Sequence, residues 1–178
     1  GRENLEEDFQ IDIYQTGNDV VVEIEDLRSF SGWFDFGRHG LQLVAAVPRH
    51  YHVDLKTSGG GISVDDRVGD VKTETSGGGI HLGRIEGPVE AKTSGGGIEL
   101  SYSNGPAYLR TSGGGIEVGD VEGDVDAETS GGPITIDRAQ GNVRAETSGG
   151  GIRVRDVTGT IEAHTSGGPV EATLSEQP

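Results

Sequence analysis

Seven serines recur at one fixed interval along the chain, and this row of hydroxyl groups is the first feature that could do chemistry. A serine hydroxyl becomes a good nucleophile only when a base such as histidine or lysine lies beside it. No such base recurs beside these serines from one repeat to the next, so the pattern favours hydrogen bonding along turns over catalysis. We therefore predict a protein that is not an enzyme and has no catalytic residues. The serines are Ser58, Ser76, Ser94, Ser112, Ser130, Ser148 and Ser166.

Histidine and acidic side chains are the candidate metal ligands. His50 and His52 share one face of a predicted strand, but the sequence places no third ligand near them, as a zinc site requires. Oxygen-rich corners can hold calcium, yet Arg84 and Arg138 interrupt the acidic columns. We predict no metal site and no cofactor, with weak calcium binding at the acidic corners as the alternative. The corners comprise Asp65, Asp66 and Asp70 in one repeat and Asp120, Glu122 and Asp124 in another.

The serines belong to a longer repeated phrase, Thr-Ser-Gly-Gly-(Gly/Pro)-(Ile/Val), which occurs seven times without insertion or deletion. A fixed period is the signature of a chain that coils once per repeat. Stacked coils must be equal in length, because a slip would move side chains out of register with the coil below. The phrase therefore predicts a β-solenoid with 18-residue coils. It begins at Thr57, Thr75, Thr93, Thr111, Thr129, Thr147 and Thr165.

Within one repeat, apolar residues alternate with polar ones, as in half-buried strands. Ile62 and Val64 flank Ser63, while Val71 and Thr73 alternate with charged residues. The inward residues are small and β-branched, which suits a narrow core, and the threonine of each phrase falls on the inward side. We expect two or three short strands per coil, charged columns on the outer faces, and a rod about 30 Å long at about 4.8 Å per coil.

Charge and composition restrict the partners. The chain has 30 acidic and 14 basic residues and a net charge of −16, which argues against binding nucleic acid or anionic lipid. Its apolar runs are far shorter than the ~20 residues that span a bilayer, so we predict no membrane insertion. Cysteine is absent, which excludes disulfides and thiolate sites. The first residue is not methionine; a removed signal peptide and a trimmed fragment are both consistent with that.

The repeats resemble a known bacterial family of adhesin-type β-strand repeats, a domain-of-unknown-function group. The resemblance rests on the segments VDLKTSGGGISV, GPVEAKTSGGGIEL and GDVDAETSGGPITI, and it covers residues 9–178. It implies a β-solenoid on or outside the cell surface, and the family has no general assigned activity. We accordingly expect an extracellular or cell-surface location.

Residues 1–56 lack the repeated phrase, and we divide them into an arm (1–8) and a β-strand cap (9–56) that precede the solenoid (57–178, last repeat partial). Alternation from Phe9 to Tyr14, a turn at residues 16–19 and a second strand from Val20 to Ile24 predict a hairpin. Residues 41–47 and 51–55 predict two more strands. Val53 and Leu55 occupy the positions that Val71 and Thr73 take one repeat later, so the cap is expected to cover the first coil's edge.

An aromatic segment lies inside this cap, at Phe30, Trp33, Phe34 and Phe36. Aromatic side chains on a polar protein can form a contact patch for a sugar or a protein partner. They also commonly fold over and close a core, and this second interpretation is the one we favour.

The last repeat stops after Val170, Ala172 and Leu174, without the second half that the other repeats have. An uncapped solenoid end exposes unpaired backbone groups and apolar side chains. The N-terminal strand with Phe9, Ile11 and Ile13 is a candidate to fill that position on a neighbouring molecule by strand addition. Such a head-to-tail contact need not close, so it would build a filament, whereas a simple frayed end would build nothing.

Our leading interpretation is therefore an extracellular structural β-solenoid whose partner is itself, in an end-to-end homopolymer. The alternative is a monomeric surface adhesin that binds a cell-surface glycan or protein through the aromatic segment or one face of the rod. A polysaccharide-processing enzyme is a third and weaker interpretation, because it needs a groove with clustered basic and acidic residues that the sequence does not show.

Overall fold

The computed structural model describes residues 9–16, 19–26 and 48–175, and every regular element in these ranges is a β-strand. Within them, no helix has the length and apolar character that a membrane span needs. The strands are β1 (Phe9–Thr16), β2 (Asp19–Asp26), β3 (His52–Thr57), β4 (Ile62–Val64), β5 (Arg67–Val68), β6 (Val71–Thr75), β7 (Ile80–Glu86), β8 (Val89–Thr93), β9 (Ile98–Ser103), β10 (Ala107–Arg110), β11 (Ile116–Val121), β12 (Val125–Thr129), β13 (Ile134–Ala139), β14 (Val143–Thr147), β15 (Ile152–Val157), β16 (Ile161–Thr165) and β17 (Val170–Leu174).

The strands form two sheets. Sheet A has the order β1-β2-β3-β6-β8-β10-β12-β14-β16, and sheet B has the order β17-β15-β13-β11-β9-β7-β4, with the short β5 also paired to β7. Each coil contributes one strand to each sheet, and successive coils pair in parallel. The predicted all-β solenoid is confirmed.

Partners in neighbouring coils lie one repeat apart, as the fixed period requires. Val71 pairs with Val89, which in turn is followed in the stack by Ala107. Main-chain hydrogen bonds tie the coils together at the start of each strand, as in the 2.9 Å bond from the Ile80 N–H to the Gly97 carbonyl. A backbone shift in one coil would therefore break bonds to both of its neighbours.

The core is the narrow space between the two sheets. Isoleucines from sheet B such as Ile80, Ile116 and Ile134 are fully buried against alanines from sheet A such as Ala91 and Ala127. This confirms the prediction that the inward residues are small or β-branched. Some buried positions are polar, and Ser103 is one of them. Its hydroxyl lies 2.9 Å from the carbonyl oxygens of Gly87 and Gly105 and accepts the Gly105 N–H at 3.1 Å.

The N-terminal hairpin is also confirmed. β1 and β2 pair antiparallel, and β2 then pairs in parallel with β3, with Val20 opposite Val53. Val53 and Leu55 lie opposite Val71 and Thr73, as predicted. The hairpin thus covers the first edge of sheet A. The arm (1–8), the predicted strand at 41–47 and the aromatic residues Phe30, Trp33, Phe34 and Phe36 lie outside the described residues.

The second glycine of each phrase marks the closest contact between coils. A Cβ atom at Gly114 would overlap the carbonyl group of Gly96 in the coil below, and the same holds at the equivalent glycine of the other inner coils. The overlapping atoms are main-chain atoms, which cannot rotate away as a flexible side chain could. The third position of the phrase is less restricted, since Pro133 and Pro169 occupy it in two repeats.

We predict that Gly114→Ala lowers the free energy of unfolding by about 1–3 kcal/mol, because the two coils must move apart to admit the methyl group. Gly60→Ala is the matched control, since Gly60 holds the same place in the first phrase and the nearest described atom to its Cβ is Thr57 Oγ1 at 3.6 Å. Urea denaturation should show a change of about 0.5 kcal/mol or less for the control. Equal effects of the two substitutions would contradict the steric explanation.

Candidate functional site

The threonines of the repeated phrase form a buried ladder along one corner of the solenoid. Thr111 Oγ1 donates a 2.7 Å hydrogen bond to the carbonyl of Gly96, the glycine that comes closest to the next coil. The prediction that these threonines face inward is confirmed for the five inner coils. The same bond joins Thr75 to Gly60, Thr93 to Gly78, Thr129 to Gly114, Thr147 to Gly132 and Thr165 to Gly150.

The serines form the adjacent ladder and face solvent. Across residues 48–175, none of their seven hydroxyl groups makes a hydrogen bond to another protein group. The expectation that they bond along the turn is therefore wrong: the threonine does so instead, because alternation places it on the inner side where the carbonyl lies. Four of the serines line an open groove of about 340 Å³ with Lys92 and Arg110 on its wall.

The outer face of sheet A carries the predicted charge columns with mostly alternating sign. Lys56 lies 3.6 Å from Glu74 one coil on, and Lys72 lies 3.6 Å from Glu90. A hydrogen bond from Lys92 lowers the pKa of Glu90, and the charge of Lys72 lowers it further. Together these two effects outweigh desolvation, which acts in the opposite direction. These pairs are largely exposed, so each adds little stability. Opposite charges stack at most positions of the face, although Lys92 stacks on Arg110 and Glu128 on Glu146.

Arg144 continues this face. Its guanidinium lies 2.8 Å from Glu146 and 3.7 Å from Asp126, and the charges of these two carboxylates raise its pKa. Sheet B has comparable pairs, such as Arg153 with Glu171 at 2.9 Å. Most of the cations on both outer faces are therefore already paired with carboxylates.

Sheet B also carries an aromatic contact that the sequence did not predict. The Arg84 guanidinium lies 3.6 Å from the centre of the Tyr102 ring, in the arrangement of a cation–π interaction. Tyr102 donates a 2.8 Å hydrogen bond to Glu122, and this bond, with desolvation, raises the pKa of its phenol. Tyr102 is thus fully engaged by its neighbours.

The candidate metal ligands have structural contacts. His52 Nδ1 accepts a hydrogen bond from the Asp70 N–H at 3.0 Å, and Asp66 Oδ1 accepts one from the Arg84 N–H at 3.0 Å. Asp124 Oδ1 likewise accepts the Asn142 N–H at 2.7 Å. In each case a side chain caps a main-chain N–H one coil further along the rod. Within the described part of the chain, no three histidine or acidic side chains are grouped as metal ligands.

The last coil differs from all the others. Every side chain of β17 is exposed, with Val170 at 46% and Leu174 at 62%, whereas Ile152 and Val154 on the strand beneath are 2% and 0% exposed. Ile161 and Ala163 on β16 are partly exposed as well. In residues 9–16, 19–26 and 48–175, no strand pairs with the outer edges of β16 and β17.

The predicted junction residues lie at opposite ends of the molecule. Phe9, Ile11 and Ile13 belong to β1, the first edge of sheet A, and Val170, Ala172 and Leu174 belong to β17, the last strand of sheet B. One molecule cannot bring these two sets together. Because β17 lies in sheet B, the next strand position along sheet A is the one beside β16. The sequence did not identify β16 as part of this end.

The fold is that of a parallel β-solenoid repeat domain, built from about seven coils and closed at one edge by a hairpin. The chain belongs to the Toastrack DUF4097 family, whose model matches residues 5–177. No curated protein matches the sequence. No solved structure matches it either.

We predict that Thr111→Val costs about 1–3 kcal/mol of unfolding free energy, because it leaves the covered Gly96 carbonyl without its donor while preserving side-chain shape. Ser112→Ala, one residue along, should change the value by about 0.5 kcal/mol or less, since that hydroxyl is exposed and has no protein partner. Chemical denaturation measures both. A larger loss for the serine variant would show that the solvent-facing ladder, and not the buried one, holds the turns.

Proposed function

We propose that this protein is a non-enzymatic structural β-solenoid of the cell surface or extracellular space that associates end to end with copies of itself. The observation that carries the proposal is the last coil, whose apolar strand is exposed although its equivalents inside the rod are fully buried. Val170 and Leu174 are 46% and 62% exposed, so covering what remains would stabilise a contact by about 1–2 kcal/mol each. The adhesin-type resemblance supports the location.

The backbone of β16 is suited to receive a further strand. In sheet A the inward-facing residues donate their N–H groups to the next coil, as Ala107 does to Asp124 and Thr111 does to Glu128. Ile161 and Ala163 are the equivalent residues of β16, so their N–H groups point to the outer edge of that strand, where a following coil would lie. An unpaired edge of this kind is a template for strand addition.

The matching edge is β1, at the other end of the same sheet. β1 has eight residues, which is enough to pair with all five residues of β16. β1 also runs antiparallel to β2. A copy docked head to tail would therefore continue sheet A through an antiparallel pair between β1 and β16. Each copy then offers a free β16 at its far end, so the contact repeats without closing and produces a filament.

Electrostatics opposes this association at low salt. Each copy carries a net charge of −16, so two ends approach against a repulsion that dissolved ions screen. We expect polymer mass to rise with protein concentration and with added sodium chloride, as measured by sedimentation velocity and negative-stain electron microscopy. Isolated short rods at every concentration and salt level would refute the proposal.

Two substitutions at the last coil test the junction itself. Ala163→Pro removes an outward N–H without breaking a bond inside the rod, as prolines on sheet edges do, and Leu174→Lys places a charge on the exposed strand. Both should raise the concentration needed for polymers at least about tenfold, which is about 1.4 kcal/mol. Ser112→Lys makes the same kind of charge change on the side of the rod and should polymerise like the wild type. If it inhibits as strongly as Leu174→Lys, net charge explains the effect and the junction does not.

A further inference from the structure

Tyr108 interrupts a column of charged residues on the outer face of sheet A. The strand register stacks it above Glu90 and below Asp126. It is 51% exposed, the one large apolar side chain so exposed between residue 48 and the last coil. The other members of its column are Asp54, Lys72, Glu90, Asp126, Arg144 and Glu162.

The Tyr108 side chain has no bonding role within the described residues. Its ring makes no cation–π contact and its hydroxyl makes no hydrogen bond there, in contrast with Tyr102 on the opposite face, which has both. A charged residue at this position could pair with its neighbours, as Lys72 and Arg144 do. The tyrosine therefore adds exposed apolar surface without a hydrogen bond or ion pair in return.

A groove of about 230 Å³ begins at Tyr108 and extends over the next three coils, where Asp126, Asn142, Arg144 and Glu162 are among the residues that line it. Asp126 Oδ1 is covered and has no hydrogen-bond partner within the described residues, while Asp126 Oδ2 lies 3.7 Å from Arg144. Asn142 uses its oxygen to accept from Thr160, which leaves its amide nitrogen as a donor for another group. The groove thus combines an aromatic ring on β10 with a carboxylate acceptor on β12 and an amide donor on the residue just before β14.

We propose that this groove, defined by Tyr108, Asp126, Asn142 and Arg144, binds a neutral glycan. An exposed ring beside a few fixed polar groups suits a pyranose, which has an apolar C–H face and a rim of hydroxyls. The net charge of −16 disfavours an anionic sugar, and the groove's guanidinium is already paired with two carboxylates. The site lies on the side of the rod, so it does not depend on end-to-end association.

Native affinity electrophoresis of the full chain tests the proposal with galactomannan, dextran and hydroxyethylcellulose as neutral probes and alginate as the anionic one. Mobility in each gel is divided by mobility in a gel without polysaccharide, so self-association cancels. We expect retardation by at least one neutral probe and none by alginate. Tyr108→Ala should lower the apparent affinity about tenfold, while Tyr108→Phe should keep most of it.

Two matched pairs separate this site from the rest of the surface. Tyr102→Ala removes a partly exposed tyrosine on the opposite face of the rod and should leave retardation unchanged. Asp126→Asn should weaken it, whereas Asp54→Asn should not, although Asp54 stands in the same column with an equally unpartnered Oδ1. Absence of retardation by all three neutral probes, retardation by alginate alone, or full retardation of Tyr108→Ala would each overturn the proposal. Far-ultraviolet circular dichroism of each variant checks that the fold is retained.

Discussion

The approach of one coil's backbone to the next is the constraint on which the rest of the structure depends. Parallel strands pair at about 4.8 Å, and the turns between them must stack at the same spacing. Where the chain turns through the repeated phrase, carbonyl groups point along the rod axis and leave no room for a Cβ above them, as at Gly96 and Gly114. The buried threonine follows from the same constraint, because the carbonyl that excludes a side chain also needs a donor.

The same stacking makes the ends of the rod different from its middle. An inner coil has its main-chain groups, its core side chains and its charged pairs completed by two neighbours, each one repeat away. The outermost coil has one such neighbour, so its valine and leucine side chains are exposed even though the sequence around them is nearly the same as elsewhere. The stability of such an array is close to a sum over nearest neighbours, so an added strand at the end gains almost what an inner strand has.

Much of this fold could be predicted from the sequence because the repeat fixes the register. Once Val71 and Val89 stand one repeat apart in a chain without insertions, their pairing follows, and alternation within a strand decides which side chains face inward. The hairpin at residues 9–26 is a local pattern and was equally predictable. Ser103 was not, because a serine at a core position is acceptable only when the stacked turns bring carbonyls within its reach.

The sites were harder to predict because they depend on contacts between coils and not on the residue types within a single repeat. The serines were expected to form the hydrogen bonds of the turns. The threonines form them instead, because the glycine carbonyl lies on the inner side of the chain, where the threonine side chain points. Val170 and Leu174 were identified from the incomplete last repeat, but only the division into two sheets shows that the free position lies beside β16. Tyr108 was not identified from the sequence, because a single tyrosine is not unusual until the strand register shows that the six equivalent residues are all charged.

Regularity gives that tyrosine its significance. On an irregular surface, one exposed aromatic side chain is ordinary and needs no explanation. On this rod, every position has equivalents in the other coils, and these show which residue types suit the stacking. In this column the equivalents are all charged. Burial does not explain the exception, because about half of the Tyr108 side chain is exposed, and within the described residues it has neither a hydrogen bond nor a cation partner. What remains is a role towards something outside the described fold, and the polar groups on the next three coils indicate the chemistry that such a ligand would present.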